Sequence, residues 1–177
     1  MEDKFSLSDR ALDQDSLERG LKERLIKARK QALEGLQEGP HAVELVGCIN
    51  KVDYLNDSKS TFLDASLRTI STLDKPVVWM IGTQLNLPNQ DWFLDIMKKH
   101  VKAAVLFGPN GARATDRARN IFRFPYHMED VRTAVFLARE VAQQGNVVLF
   151  SPGCMSKPDY ANYEERGAAF KKAVIDL

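Results

Sequence analysis

The sequence predicts an α/β fold: a Rossmann-like, mainly parallel sheet flanked by helices. Three observations point to it. The runs Val77-Val78-Trp79-Met80-Ile81, Ala103-Ala104-Val105-Leu106-Phe107 and Val147-Val148-Leu149-Phe150 are continuously apolar, as strands buried on both faces are. Stretches with apolar residues every three to four positions alternate with these runs, which is the pattern of strand, crossover helix and strand. Glycine follows the runs at Gly82, Gly108 and, after Ser151-Pro152, Gly153, where the chain must turn sharply into the next segment.

The elements are expected in this order. Residues 1–12 form a polar lead-in. A helix is predicted over 13–35, where Leu17, Leu21, Leu25, Ala28 and Ala32 make one stripe and Leu36 continues it. Asp15 or Ser16 suits its start, and Gly35 with Gly39-Pro40 suits its end. This places an N-terminal helical extension at 1–38 and one α/β domain at 39–177. Residues 42–50 and 51–55 read as two strands joined by a tight hairpin at Ile49-Asn50-Lys51-Val52, although the Asn-Gly signal is lacking. A helix then falls at about 61–73, a strand at 77–81, a helix at 91–100 and a strand at 103–107. A short helix is expected near 112–120 and a short strand at 121–124. The last three elements are a helix at 128–143, a strand at 147–150 and a helix at 163–177.

Composition narrows the function classes. The chain has 177 residues, 44% of them hydrophobic and 28% charged, with a net charge of +1. That balance fits a soluble globular domain and gives no field that would draw nucleic acid or an anionic membrane. The polar start Met1-Glu2-Asp3-Lys4 leads into no apolar signal segment, and no stretch is long enough to span a bilayer, so the protein reads as cytoplasmic. The two cysteines, Cys48 and Cys154, match no metal or redox spacing. Cys48 is expected as a small buried hydrophobe in its strand. His41, His100 and His127 are scattered, so no metal site is expected.

The candidate chemistry lies in two polar loops. Tyr54-Leu55-Asn56-Asp57-Ser58-Lys59-Ser60-Thr61 and Ser151-Pro152-Gly153-Cys154-Met155-Ser156 each follow an apolar run and precede a helical pattern. In an open parallel sheet both lie at carboxyl ends of strands, the edge where such folds bind ligands. Part of this polarity is explained by capping: Ser58, Ser60 and Thr61 suit a helix start, and Thr61 with Asp64 resembles a capping box. Capping does not explain Lys59, since a cation in a first helical turn opposes the macrodipole by a few tenths of a kcal/mol. A helix start beside a lysine suits an anion. No phosphate-loop motif, dinucleotide fingerprint or nucleophile elbow is present, so a self-sufficient ATPase, dehydrogenase or hydrolase has no support.

The Asn56-Asp57-Ser58-Lys59-Ser60-Thr61 loop, and the Ser151 to Ser156 loop leading into Asn162-Tyr163-Glu164-Glu165-Arg166-Gly167, resemble the C-terminal domain of the Mur ligases. Within that family they are most similar to the branch that adds D-glutamate to UDP-N-acetylmuramoyl-L-alanine, a step of peptidoglycan biosynthesis. The resemblance runs from about Gly39 to Leu177. It implies a Rossmann-like third domain that closes over a central ATPase domain and holds the incoming amino acid. It places Asn56, Asp57 and Lys59 near nucleotide phosphates, and Asp57, Ser58, Lys59, Thr61, Ser156 and Tyr163 in the ligand site. Two family features are missing. The Gly-Gly-x-x-Lys segment, whose lysine holds the amino-acid carboxylate, is replaced by Ile81-Gly82-Thr83-Gln84-Leu85-Asn86-Leu87-Pro88. The Pro-His-Arg whose arginine reaches the nucleotide reads Pro40-His41-Ala42.

Residues 1–38 are too short to supply UDP-binding and ATPase domains, so no catalytic residue is assigned and ligation by this chain alone is not expected. Three readings follow. In the first, the chain is a non-catalytic ligand- or partner-binding module. In the second, it completes an ATP- and magnesium-dependent ligase with a Mur ligase or an orphan ATPase domain as partner. In the third, it is a structural protein that forms a homo-oligomer through the N-terminal helix. No nucleic-acid or membrane partner is expected, and no cofactor for the chain alone.

Overall fold

A computed structural model describes residues 41–177; the helix expected within 1–38 lies outside them. The sheet has six strands: β1 (Glu44–Ile49), β2 (Val52–Asn56), β3 (Val77–Gly82), β4 (Val101–Phe107), β5 (Pro125–Met128) and β6 (Val147–Phe150). Their order across the sheet is β1-β2-β6-β3-β4-β5. β1 pairs antiparallel with β2, and every other pair is parallel. The helices are α1 (Leu63–Thr72), α2 (Asp91–His100), α3 (Gly111–Ala118), α4 (Val131–Val141) and α5 (Tyr163–Ile175). This is the α/β architecture that the alternating pattern predicts.

The β1–β2 hairpin forms where expected, with Ile49 opposite Val52. Asn50 and Lys51 both have positive φ, 51° and 63°, as a two-residue turn matching the twist of its strands requires. Asparagine tolerates that conformation; lysine at the second position adopts it without the help of glycine.

One face of the sheet carries Tyr54, Val78, Met80, Val105 and Phe150 against α4 and α5, which bring Val131, Ala134, Val135, Phe170, Ala173 and Val174. The Phe150 and Phe170 rings stack at 4.6 Å and 3°, tying α5 to the central strand β6. The alternate strand residues, among them Leu55, Trp79, Ile81, Leu106 and Leu149, are buried on the other face. There α1, α2 and α3 cover them with Leu67, Ile70, Phe93, Met97, Ala114 and Ala118. The arrangement follows from right-handed crossovers: β2 to β3 to β4 to β5 runs one way across the sheet, and β5 to β6 runs back. Adjacent strands β2 and β6 therefore send their following helices to opposite faces. That reversal is a topological switch point, and the two polar loops both stand on it.

Three expectations are corrected. The short strand expected at 121–124 lies at Pro125–Met128. Ile121 and Phe122 instead end the α3 segment, both amides donating to the Ala118 carbonyl, and Phe122 fits edge-to-face on Trp79. The expected cap at Thr61 does not form: α1 starts at Leu63, its N-cap is Phe62, and no side chain caps it. Cys48, expected buried, is half-buried on the outer strand β1.

Candidate functional site at the switch point

β2 and β6 run in parallel register with Asn56 beside Phe150, so both loops leave the sheet at the same level. The Asp57 amide donates to the Phe150 carbonyl at 2.8 Å, and the Gly153 amide to the Ser60 carbonyl at 3.0 Å. Gly153, at φ 64°, turns the second loop back over the first. The Leu85 side chain fills the space where a Cβ on Gly153 would stand. A third loop joins the pair: the Gly82 amide donates to the Pro152 carbonyl at 3.1 Å. A Cβ on Gly82 would lie 2.2 Å from Cys154 Sγ, so glycine there lets the β3 and β6 ends meet.

Asp57 is the hub of the junction. It is 3% exposed, and its Oδ2 accepts from Ser60 Oγ at 2.7 Å, Ser151 Oγ at 2.8 Å and Thr69 Oγ1 at 3.0 Å. Burial pushes its carboxyl above the ordinary aspartate value, and those hydroxyls work against the rise. Ser151 also reaches Ser66 Oγ at 2.7 Å, and its carbonyl accepts from Trp79 Nε1 at 2.7 Å. Asn56 is likewise turned inward. Its side-chain amide donates to His41 Nδ1 at 2.8 Å and to Glu44 Oε2 at 3.3 Å.

Arg166 is the second tie, and the residue that sequence reasoning missed. It is 2% exposed. Nε donates to Ser58 Oγ at 3.1 Å, Nη2 to the Ser58 carbonyl at 2.8 Å, and Nη1 to the Cys154 carbonyl at 2.9 Å. One planar fork thus bridges both loops from the first turns of α5. Ser58 Oγ in turn donates a hydrogen bond to the Tyr163 carbonyl at 2.8 Å. Among the described residues no carboxylate pairs with the guanidinium, and burial lowers its pKa. Burial pushes the neighbouring Cys154 thiol up, while Arg166 pulls it down. The available signal was the motif itself: Arg166 stands within Asn162-Tyr163-Glu164-Glu165-Arg166-Gly167, whose Asn162 side chain caps α5 by accepting from the Glu165 amide. An arginine four residues inside a capped helix start faces back toward that start.

The sequence-selected residues therefore divide into two groups. Asn56, Asp57 and Ser58 are buried, with side chains hydrogen-bonded inside the protein. Lys59 is exposed, and Thr61 and Tyr163 are half-buried, so these face outward from the junction. The Tyr163 ring meets His41 edge-to-face at 6.4 Å. Ser156 is 9% exposed, and its carbonyl accepts from the Tyr160 amide. Asn56 and Asp57, expected near nucleotide phosphates, hydrogen-bond within the protein, and Lys59 is the member of that trio at the surface. Among the described residues no cluster of His, Cys, Asp or Glu could hold a metal ion, and no helix is long and apolar enough to cross a membrane.

Relatives match this framework. The chain is 37% identical over 143 residues to the UDP-N-acetylmuramoylalanine–D-glutamate ligase of Caldanaerobacter subterraneus subsp. tengcongensis, covering 77% of this chain and 31% of the relative. It is 34% identical over 151 residues to the enzyme of that name from Lacticaseibacillus paracasei, covering 85% and 33%. This chain is homologous to the C-terminal domain of the Mur ligases. It corresponds to the family's C-terminal domain, and it spans about a third of the length of the curated relatives it matches. No protein-family model matches the chain. Among solved structures, a bifunctional folylpolyglutamate synthase/dihydrofolate synthase from Yersinia pestis shares the fold at a TM-score of 0.50 and 17% identity, over 79% of this chain and 32% of that one.

Proposed function

We propose that these residues form a binding module of Mur ligase descent, taking a small anionic ligand or a partner at the outer side of the two joined loops without carrying out ligation themselves. The observation that carries this reading is the state of the β3 end. In the segment that replaces the family's Gly-Gly-x-x-Lys no lysine is present; Leu85 packs on Gly153, and Leu85 and Leu87 join Ile81, Leu106 and Ala114 in a mostly apolar lining that Arg117 borders. Ala42, standing for the family's nucleotide-reaching arginine, is 8% exposed and offers no donor. Losing a charge-assisted hydrogen bond to a carboxylate costs roughly 1.5–3 kcal/mol, about tenfold or more in affinity. Lys59, Thr61, Ser156 and Tyr163 remain as the ligand-facing set.

Titration calorimetry of the full chain with D-glutamate tests the reading. No measurable heat up to millimolar ligand is expected, and a micromolar constant would show that another group has replaced the lysine. A second reading has support in the 37% identity to a D-glutamate ligase: the module completes an ATP- and magnesium-dependent acid–amino-acid ligase whose nucleotide-activating residues lie outside this sequence. Mixing the chain with the UDP-binding and ATPase portions of such a ligase, ATP, magnesium, D-glutamate and UDP-N-acetylmuramoyl-L-alanine discriminates the two. Phosphate release that needs this chain and fails with Lys59→Ala supports the second reading; none supports the first.

A further inference from the structure

One strand along from the switch point, the ends of β3 and β4 border a cleft of about 330 Å³, lined by Thr83, Gln84, Pro109, Asn110, Arg113 and Arg117. Four features of it are unusual. First, α3 begins here with no acidic residue in its first turn and no side-chain cap, and its N-cap Asn110 is left-handed at φ 61°. The first amides of the helix thus keep their donors free of intrahelical partners. Second, Arg113 and Arg117 stand four residues apart on exposed helix surface, a like-charge pair that costs a few tenths of a kcal/mol, and Arg113 also opposes the macrodipole. Third, Arg113 makes no ion pair or hydrogen bond among the described residues, while Arg117 reaches only a neutral oxygen, Asn86 Oδ1, at 3.4 Å. Fourth, the hydroxyl of Thr83 is buried with no hydrogen-bond partner among the described residues, the residue being 6% exposed. It points across to the Gly108 turn that walls the cleft, 2.9 Å from where a Cβ on Gly108 would lie.

An orphaned hydroxyl, an uncapped helix start and two unneutralised guanidinium groups share one want, an oxyanion. We propose that this cleft binds the phosphate group of a small molecule. Arg113 and Arg117 supply the charge, the first amides of α3 the fixed donors, and Thr83 the innermost hydroxyl. A phosphate offers three oxygens to this many donors, where a carboxylate offers two. The cleft has room beyond the anion, within the range of small-molecule sites. His127 braces the floor: its ring fills the space where a Cβ on Gly111 would stand, and its Nε2 donates to the Gly108 carbonyl at 2.8 Å. Asp159 Oδ2 lies 3.9 Å from where the same Cβ on Gly108 would stand, so a carboxylate borders the Thr83 side of the cleft and the anion's charge is met by Arg113 and Arg117.

The test is an amide NMR titration of the full chain with inorganic phosphate and, separately, ribose 5-phosphate, at constant chloride. Saturable shifts confined to Thr83 and the amides of residues 110–113 are expected. Each of Arg113→Ala and Arg117→Ala, both exposed and tolerable to the fold, is expected to weaken binding about tenfold or more. Thr83→Val should weaken it too while leaving the unliganded protein as stable or more so, because an unpartnered hydroxyl is removed. Tighter binding of the sugar phosphate than of phosphate assigns the cleft to phosphate esters, and equal binding assigns it to the free anion. Shifts that spread over the other basic residues, that chloride reproduces, or that persist in the Arg113→Ala/Arg117→Ala variant overturn the proposal.

Discussion

Replacing Arg166 by methionine keeps the length of the side chain and removes the fork that joins the loops. Three hydrogen bonds from the guanidinium disappear, to Ser58 Oγ, the Ser58 carbonyl and the Cys154 carbonyl. At about 1.5 kcal/mol each, the lower end for bonds to a charged group, the gross loss is about 4.5 kcal/mol. Part of it returns, because an arginine 2% exposed and without a carboxylate partner among the described residues carries a desolvation penalty that methionine does not. A net destabilisation of about 3 kcal/mol is expected, or about 6–12 °C in Tm for a chain of this size. Calorimetric melting together with urea titration of the full chain measures it, with the urea slope unchanged if only the native junction is affected. A Tm within about 2 °C of the parent would refute the reasoning, since the fork would then hold nothing that water does not hold equally well.

Gly82→Ala should destabilise by about 1–3 kcal/mol, because its new Cβ meets Cys154 Sγ, and the Gly82→Ala/Cys154→Ala pair should recover most of that loss in a double-mutant cycle. Asp57→Asn should cost about 1–3 kcal/mol by giving three hydroxyl donors an acceptor with fewer lone pairs to spare. Because burial raises the Asp57 carboxyl, its contribution is most favourable below the unfolded value near 3.9 and diminishes as pH rises from there through the raised folded value. The deficit of Asp57→Asn relative to the parent should therefore narrow as pH rises across that window, and a widening deficit would show that the hydroxyls outweigh burial. Glu44 behaves the other way: burial pushes it up, but Lys171 Nζ at 2.6 Å and the His41 amide outweigh burial and hold it below the ordinary value. Its stabilisation is present above the unfolded value near 4.3 and is lost as pH falls through the lowered one, so Lys171→Ala should cost under about 1 kcal/mol at neutral pH and flatten the acid limb of the stability curve.

Most of the sheet was legible in the sequence because it is buried. Trp79, Val148 and Leu149 are each 0% exposed, and a run of apolar, β-branched residues is what such burial demands. The edge strand was misplaced for the opposite reason. Pro125, Tyr126, His127 and Met128 are all half-buried at the rim, and a run opened by proline and broken by histidine gives no strand signal, whereas the neighbouring Ile121 and Phe122 are apolar because they close a helix end over Trp79. In the site, position was legible and role was not. Two polar loops after parallel strands must share an edge, and they do. The hydroxyl of Ser60, read as a helix cap, spends itself on Asp57 instead, and the Ser151 hydroxyl joins it there. A serine in a loop looks the same whether it caps the next helix or reaches a carboxylate 94 residues away, as Ser151 does. Arg166 was hidden by the same ambiguity, since an arginine in a charged helical stretch ordinarily lies on a solvated face.

Everything proposed for the crevice requires that the turns after β2, β6 and β3 are joined to one another. Scalar couplings across hydrogen bonds, measured by NMR on the uniformly labelled full chain, detect that joining directly. Couplings from the Gly153 amide to the Ser60 carbonyl and from the Gly82 amide to the Pro152 carbonyl are expected, at separations of 3.0 and 3.1 Å, with both amides slow to exchange. Rapid exchange at Gly153 and Gly82 with neither coupling present would contradict the account, leaving three independent turns.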